Sequence, residues 1–106
     1  MLKRNRRPTH PGEILKHHYL EPRHVSQKDF AQDIEISEKH LSQIINGHKR
    51  LERDVAAKIA KALETTTQFW INLQGSVDAW DAEANRADWH PKVVFTAPHT
   101  IYEAVN

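Results

Sequence analysis

Four polar side chains between residues 38 and 43 have the chemistry needed to form hydrogen bonds with the edges of DNA bases. Lys39 can donate to guanine, Glu38 can accept from cytosine, and the amide of Gln43 can pair bidentately with adenine. If this segment is a helix, Ser42 lies with them on its exposed side, at its start and middle. The residue types and their spacing therefore predict that this helix reads DNA sequence from the major groove.

A helix-turn-helix has to position that exposed side, and the sequence predicts one. Ser26 and Ser37 are favourable N-caps, and each precedes a short segment with helical spacing of apolar residues. Ala31 is small enough for two helices to cross closely at its position. Asn46 and Gly47 end the second helix, because both residues tolerate a left-handed backbone.

The turn between these two helices contains an unfavourable residue. The position before Ile36 usually has a left-handed backbone, which favours glycine, but it is Glu35 here. We expect this conformation to cost about 1 kcal/mol relative to glycine. The apolar residues Ile34, Leu41 and Ile44 join Ile36 in the expected wedge between the two helices.

Apolar spacing along the chain predicts an all-α fold of five helices, at residues 11–20, 26–33, 37–45, 53–64 and 68–85. The predicted domain covers residues 10–87, with a mobile basic arm (1–9) before it and a tail of unknown role (88–106) after it. The expected core residues outside the wedge are Ile14, Leu15, Tyr19, Leu20, Phe30, Ala31, Ile45, Val55, Ala56, Ile59, Ala60, Ala62 and Leu63.

Within the tail, Val93-Val94-Phe95-Thr96 is β-prone and is bracketed by Pro91 and Pro98. This segment predicts either an isolated strand or an ordered tail.

Charge is distributed unevenly along the chain. Residues 1–53 contain 11 Lys or Arg against 7 Asp or Glu (+4), and residues 54–106 contain 4 against 7 (−3). A basic front half suits contact with phosphate, although a small chain can also show such a difference by chance. The candidates for phosphate contact are polar or basic groups near helix ends, namely Gln27, Ser37, Asn46, His48, Lys49, Arg50 and Arg53.

Several other classes of function lack support in the sequence. The chain has no cysteine, and its eight histidines form no HExxH motif or closed tetrahedral ligand set, so we expect no metal site. Only three glycines are present, and no nucleophile is paired with a base, so we expect no nucleotide cradle, cofactor or catalytic residue. No apolar run suits a membrane span, and none follows the basic residues 1–7 as in a signal peptide. We expect a cytoplasmic protein.

The fifth predicted helix has more apolar residues than so small a domain needs to bury. Either these apolar residues all belong to the core, or some of them belong to the core and the others form a dimer interface. The candidates for this interface recur at steps of three and four residues and are Phe69, Trp70, Leu73, Val77 and Trp80.

These segments resemble the lambda-repressor-like (Cro/XRE) helix-turn-helix family, and within it the HigA-type antitoxins, also called virulence-associated protein I. The resemblance covers about residues 8–85. Glu35 and Glu64 depart from it, because they stand where the family tends to have glycine. The matching residues are His10-Pro11-Gly12-Glu13, Leu20-Glu21-Pro22, Ser26-Gln27, Ala31, Ser37, Ile44, Asn46-Gly47 and Phe69-Trp70-Ile71-Asn72-Leu73-Gln74.

The resemblance implies a homodimer that represses its own operon by binding operator DNA and that neutralises an RNA-cleaving, HigB-type toxin. Asp78, Asp81, Glu83 and Asp88 then have two interpretations: a solvated helix face, or a docking surface for a basic toxin. Two alternatives for the whole protein stay open. One is a stand-alone regulator without a toxin, and the other is chiefly a protein–protein inhibitor.

Overall fold

The structure is a computed structural model that describes residues 6–96 of the chain. Five helices and no strand lie in this range, in agreement with the predicted all-α fold. The first helix, α1, begins as an α-helical turn, Pro11–Ile14, and continues as a π-helix, Leu15–Leu20. The others are α2 (Gln27–Asp33), α3 (Glu38–Ile45), α4 (Arg53–Leu63) and α5 (Thr67–Arg86). None of these five helices has the length and apolar character needed to cross a bilayer.

Three helices begin at a side-chain cap. The Ser26 hydroxyl accepts a hydrogen bond from the Asp29 amide at 3.0 Å, and Ser37 accepts one from the His40 amide at 3.0 Å. Thr66 caps α5 in the same way, through the amide of Phe69 at 3.1 Å. Each cap satisfies an amide that the helix leaves unpaired, and such caps stabilise a helix by about 1 kcal/mol.

The turn between α2 and α3 has the left-handed residue that the sequence predicts. Glu35 has a φ angle of 60°, and the amide of Ile36 reaches back to the carbonyl of Ala31 at 3.0 Å. This hydrogen bond is typical of a Schellman motif, which requires a positive φ at the residue after the helix. The end of α3 repeats the motif, with Gly47 at a φ of 76°. The prediction for Glu35 is confirmed.

The core is a single cluster to which all five helices contribute. Leu41, Ile59 and Trp70 have no exposed surface, and Ala31 is 1% exposed where α2 packs against α3. The buried indole of Trp70 donates to the Thr65 hydroxyl at 2.7 Å, so burial leaves its polar atom satisfied.

The second half of α1 is wider than an α-helix. The amide of Glu21 bonds to the carbonyl of Lys16, five residues earlier, at 2.9 Å. In an α-helix, residues five apart do not share a face. The π-helical turn lets Leu15 and Leu20 both enter the core, where they are 1% and 2% exposed. Helical spacing did not predict this change of pitch.

One expectation about burial is wrong, and the structure bears on two further segments. Ala62 is exposed, because it lies on the side of α4 that lines a shallow surface cleft with Lys58 and Lys61 rather than on the side that faces the core. Val93–Thr96 is exposed and forms no strand, since the described residues offer no second strand to pair with it. Of the two alternatives, the strand is therefore wrong, and the ordered tail stays a prediction. The predicted mobile arm contacts the domain in its described part, where Pro8 is buried.

Candidate nucleic-acid interface

Helix α3 has one buried side and one accessible side. Leu41, Ile44 and Ile45 are at most 3% exposed and anchor the helix to the core. On the accessible side, Glu38 and Lys39 are exposed in the first turn. The structure therefore leaves the start of this helix open to a large ligand, and this is the part of a recognition helix that contacts base edges.

Ser42 and Gln43 follow one turn later and are half-buried. The Ser42 hydroxyl accepts a hydrogen bond from the side chain of Asn46 at 3.3 Å. Its own proton can still be donated to a base. The backbone carbonyl of Gln43 accepts hydrogen bonds from the backbone amides of His48 and Lys49, at 2.8 and 3.2 Å. The loop that follows α3 therefore fixes the backbone at Gln43. The four predicted base-reading residues thus share one side of α3.

The predicted phosphate-contacting residues lie at the start of α2, at the start of α3 and after its C-terminal end. Gln27 is half-buried at the start of α2, while Ser37 is exposed and its hydroxyl caps α3. Beyond the C-terminal end of α3, the side chains of Asn46, His48, Lys49, Arg50 and Arg53 are all exposed. Their contact with phosphate stays a prediction, which their exposure permits.

Arg50 is engaged by carboxylates rather than free. Its guanidinium contacts the carboxylate of Glu52 at 3.2 Å and forms an ion pair with Asp78 on α5. The side-chain amide of Gln74 donates to the Asp78 carboxylate at 3.0 Å through its Nε2 atom. The Oε1 atom of the same side chain accepts a hydrogen bond from the buried backbone amide of Leu51 at 2.8 Å. The loop after α3 is therefore tied to α5 through a short polar network.

Arg7 is a basic residue of this region that sequence reasoning did not single out. Its guanidinium forms two hydrogen bonds with the carboxylate of Asp81, at 2.9 and 2.8 Å. The hydrogen bond from Arg7 is the main cause that lowers the pKa of Asp81, and the same bond raises the pKa of Arg7. The two residues are 74 positions apart, so no local pattern could have indicated the contact.

The acidic residues of α5 do not form a free negative stripe. Asp78 pairs with Arg50, Asp81 pairs with Arg7, and Glu83 contacts Arg86 at 2.8 Å. Each of the three predicted toxin-binding carboxylates thus has an arginine partner within the described part of the chain. Their role in binding a toxin stays a prediction, and a basic partner would have to compete with these arginines.

The predicted dimer interface on α5 divides into buried and accessible residues. Trp70 and Val77 are 0% and 2% exposed within their own chain, so they have almost no surface for a second copy to cover. Phe69 is 37% exposed, and Leu73 and Trp80 are half-buried. The interface that stays a prediction consists of these three side chains.

The comparisons with known proteins agree with this geometry. The helix-turn-helix family matches residues 18–70. An uncharacterized HTH-type transcriptional regulator of Haemophilus influenzae is 41% identical over 81 residues, which cover 76% of this chain and 76% of that protein. Antitoxin HigA-1 of Vibrio cholerae is 40% identical over 94 residues, covering 89% of this chain and 88% of that protein. The solved structure of Pseudomonas aeruginosa antitoxin HigA with the higBA promoter is 27% identical, has a TM-score of 0.74, and covers 82% of this chain and 100% of that chain.

Proposed function

Because the chain belongs to the helix-turn-helix family, we propose that it is a sequence-specific DNA-binding repressor that acts as the antitoxin of a toxin–antitoxin pair. The observation that carries the DNA-binding part is the accessible side of α3, where Glu38, Lys39, Ser42 and Gln43 share one flank of a helix that is anchored in the core. A rigid helix of this kind places several hydrogen-bonding groups in the major groove together.

The mechanism is occlusion of a promoter by a homodimer. Two copies related by a two-fold axis would place their α3 helices roughly 34–36 Å apart, which is one turn of duplex DNA. The operator is then a near-palindrome with two half-sites. We expect the dimer interface to include three side chains of α5 that are apolar and incompletely buried, namely Phe69, Leu73 and Trp80.

The antitoxin part draws on the likeness to HigA-1 of Vibrio cholerae, with 40% identity over most of both chains. The partner would be an RNA-cleaving toxin of the HigB type. Such a toxin is expected to be basic, because it has to bind a polyanion. It would have to displace the arginine partners of Asp78, Asp81 and Glu83 to pair with these carboxylates.

Quantitative gel shifts test the DNA-binding part directly. The purified protein is titrated onto the promoter upstream of its own gene and onto a scrambled duplex of equal length, at two salt concentrations. We expect the promoter to bind tighter than the scrambled duplex, with both affinities falling as salt rises. Equal affinity for the two duplexes at every salt concentration would contradict a sequence-specific repressor.

Co-purification with the product of the neighbouring gene tests the antitoxin part. A stable complex that suppresses RNA cleavage by that product supports an antitoxin. Specific promoter binding without such a complex would favour a stand-alone regulator, a function that the likeness to the Haemophilus influenzae transcriptional regulator supports. A complex without promoter binding would favour a protein–protein inhibitor.

A further inference from the structure

A cleft beside the C-terminal end of α3 collects basic side chains from two distant parts of the chain. Arg7 and His10 come from the segment before and at the start of α1, and the loop after α3 supplies the others, His48, Lys49 and Arg50. The two parts touch each other. A Cβ atom on Gly47 would lie only 3.0 Å from the Nε2 atom of His10.

The opposite wall of this cleft is formed by two carboxylates of α5. Asp78 pairs with Arg50, and Asp81 holds Arg7 through two hydrogen bonds. The planar fork of an arginine binds a carboxylate and a phosphate with the same bidentate geometry. In both ion pairs the side chains are between 45% and 48% exposed, so a large polyanion can reach them.

We propose that this cleft binds a phosphate of the duplex backbone through Arg7 together with Arg50, and that Asp81 and Asp78 occupy the place of that phosphate in the free protein. The inference rests on the proposed function, since it requires α3 to lie on DNA. Because the cleft adjoins the end of α3, a backbone strand leaving the groove at that end passes its opening.

The two arginines can exchange a carboxylate for a phosphate because the ion pairs that they would break, with Asp81 and Asp78, are weak. Exposed ion pairs contribute little, because water screens both charges. Contact with duplex DNA releases condensed counterions, which gives each arginine–phosphate contact an additional entropic gain. Asp78 remains tied to the loop through Gln74 and the Leu51 amide while its arginine moves away.

A double-mutant cycle on Arg7 and Asp81 tests the proposal. Affinity for the promoter duplex is measured by fluorescence anisotropy for the wild type, Arg7→Ala, Asp81→Asn and the double variant, over a range of salt concentrations. We expect Arg7→Ala to weaken binding to promoter and scrambled duplexes by similar factors and to reduce the salt slope by about one. Asp81→Asn should tighten binding roughly two- to fivefold, as expected for the loss of an exposed competing pair.

The double variant distinguishes competition for Arg7 from a general effect of negative charge. If Asp81 acts by holding Arg7, the gain from Asp81→Asn disappears in the Arg7→Ala background. An equal gain in both backgrounds would overturn the proposal, as would an unchanged affinity and salt slope in Arg7→Ala. Asp88→Asn is the matched control, because it removes an exposed carboxylate that lies beyond the end of α5, and it should leave the affinity unchanged.

Folding and the proposed function are separated by two further measurements. Circular dichroism melts identify any variant that loses structure, and we expect none, because both side chains are about half exposed. If the wild type binds no duplex at all, the proposed function fails, and this inference fails with it. If the wild type binds its promoter and Arg7→Ala binds it equally well, only the phosphate site is overturned.

Discussion

Gly12 at the start of α1 lies against the backbone carbonyl of Ile44 in α3. A Cβ atom at Gly12 would be 2.0 Å from the Ile44 oxygen, far inside van der Waals contact. The contact lets α1 pack directly on α3, whose Ile44 side chain is 2% exposed. The absence of a side chain at residue 12 therefore determines how closely α1 and α3 can approach each other.

We predict that Gly12→Ala destabilises the protein. In an unobstructed helix, this change stabilises by roughly 0.5–1 kcal/mol, because glycine loses more backbone entropy. Here the added methyl group would force α1 away from α3, which typically costs 1–3 kcal/mol and outweighs that gain. Thermal and urea unfolding measure the difference in the free energy of unfolding.

Gly75→Ala provides the control for this prediction. Gly75 lies in α5, and a Cβ atom there would meet nothing within 4 Å. We expect this variant to be more stable than the wild type by roughly 0.5–1 kcal/mol. If both variants shifted the free energy of unfolding in the same direction, the close contact of Gly12 with Ile44 would be wrong.

We predict that Glu35→Gly stabilises the protein by about 1 kcal/mol, because residue 35 has a left-handed backbone that glycine adopts without strain. Its affinity for the promoter should not change when compared at equal folded fraction. Differential scanning calorimetry measures the rise in melting temperature. Glu35→Ala keeps the Cβ atom and should show no such rise, so a melting temperature that falls in Glu35→Gly would contradict the assigned turn.

We predict that Gln43→Ala weakens promoter binding by roughly 1–3 kcal/mol and relaxes the preference at one base pair in each half-site. The reason is the loss of a bidentate contact with a single base. Affinities for a complete set of single-base operator variants measure the effect. If every variant kept its wild-type rank, Gln43 would not be a base-reading residue. Lys49→Ala is the contrasting change, because loss of a phosphate contact weakens all sequences alike.

We predict that Arg7→Ala raises the pKa of Asp81 toward the ordinary value of an aspartate. The hydrogen bond from Arg7 favours the ionised carboxylate in the folded protein and so lowers this pKa. A folded-state pKa below the unfolded one stabilises the protein above the unfolded pKa, and this contribution is lost as the pH falls through the folded value. Titration of the Asp81 carboxyl carbon by NMR should show the difference, and added salt should shrink it. Equal values in the two proteins would argue against the ion pair in solution.

The sequence by itself determined the features that depend on neighbouring residues. The ends of the five helices follow from apolar spacing and from caps whose hydrogen bonds span three residues, as at Ser26 and Ser37. The left-handed turn at Glu35 is equally local, since its hydrogen bond returns to Ala31. The accessible flank of α3 could be predicted for the same reason, because Leu41, Ile44 and Ile45 define the buried side.

Only the tertiary structure decided which distant residues meet. Arg7 contacts Asp81, Arg50 contacts Asp78, and Gln74 accepts from the Leu51 amide. Other side chains of suitable charge or polarity lie along the chain, and nothing periodic selects these partners. The sequence also left open which apolar side chains of α5 are buried, because the helix carries more of them than the core can cover. The way in which α5 packs against the other helices determines which of these side chains enter the core. These contacts are specified by close packing between helices. Such packing depends on the complementary shapes of all the helices that meet, and no single segment of the sequence contains that information.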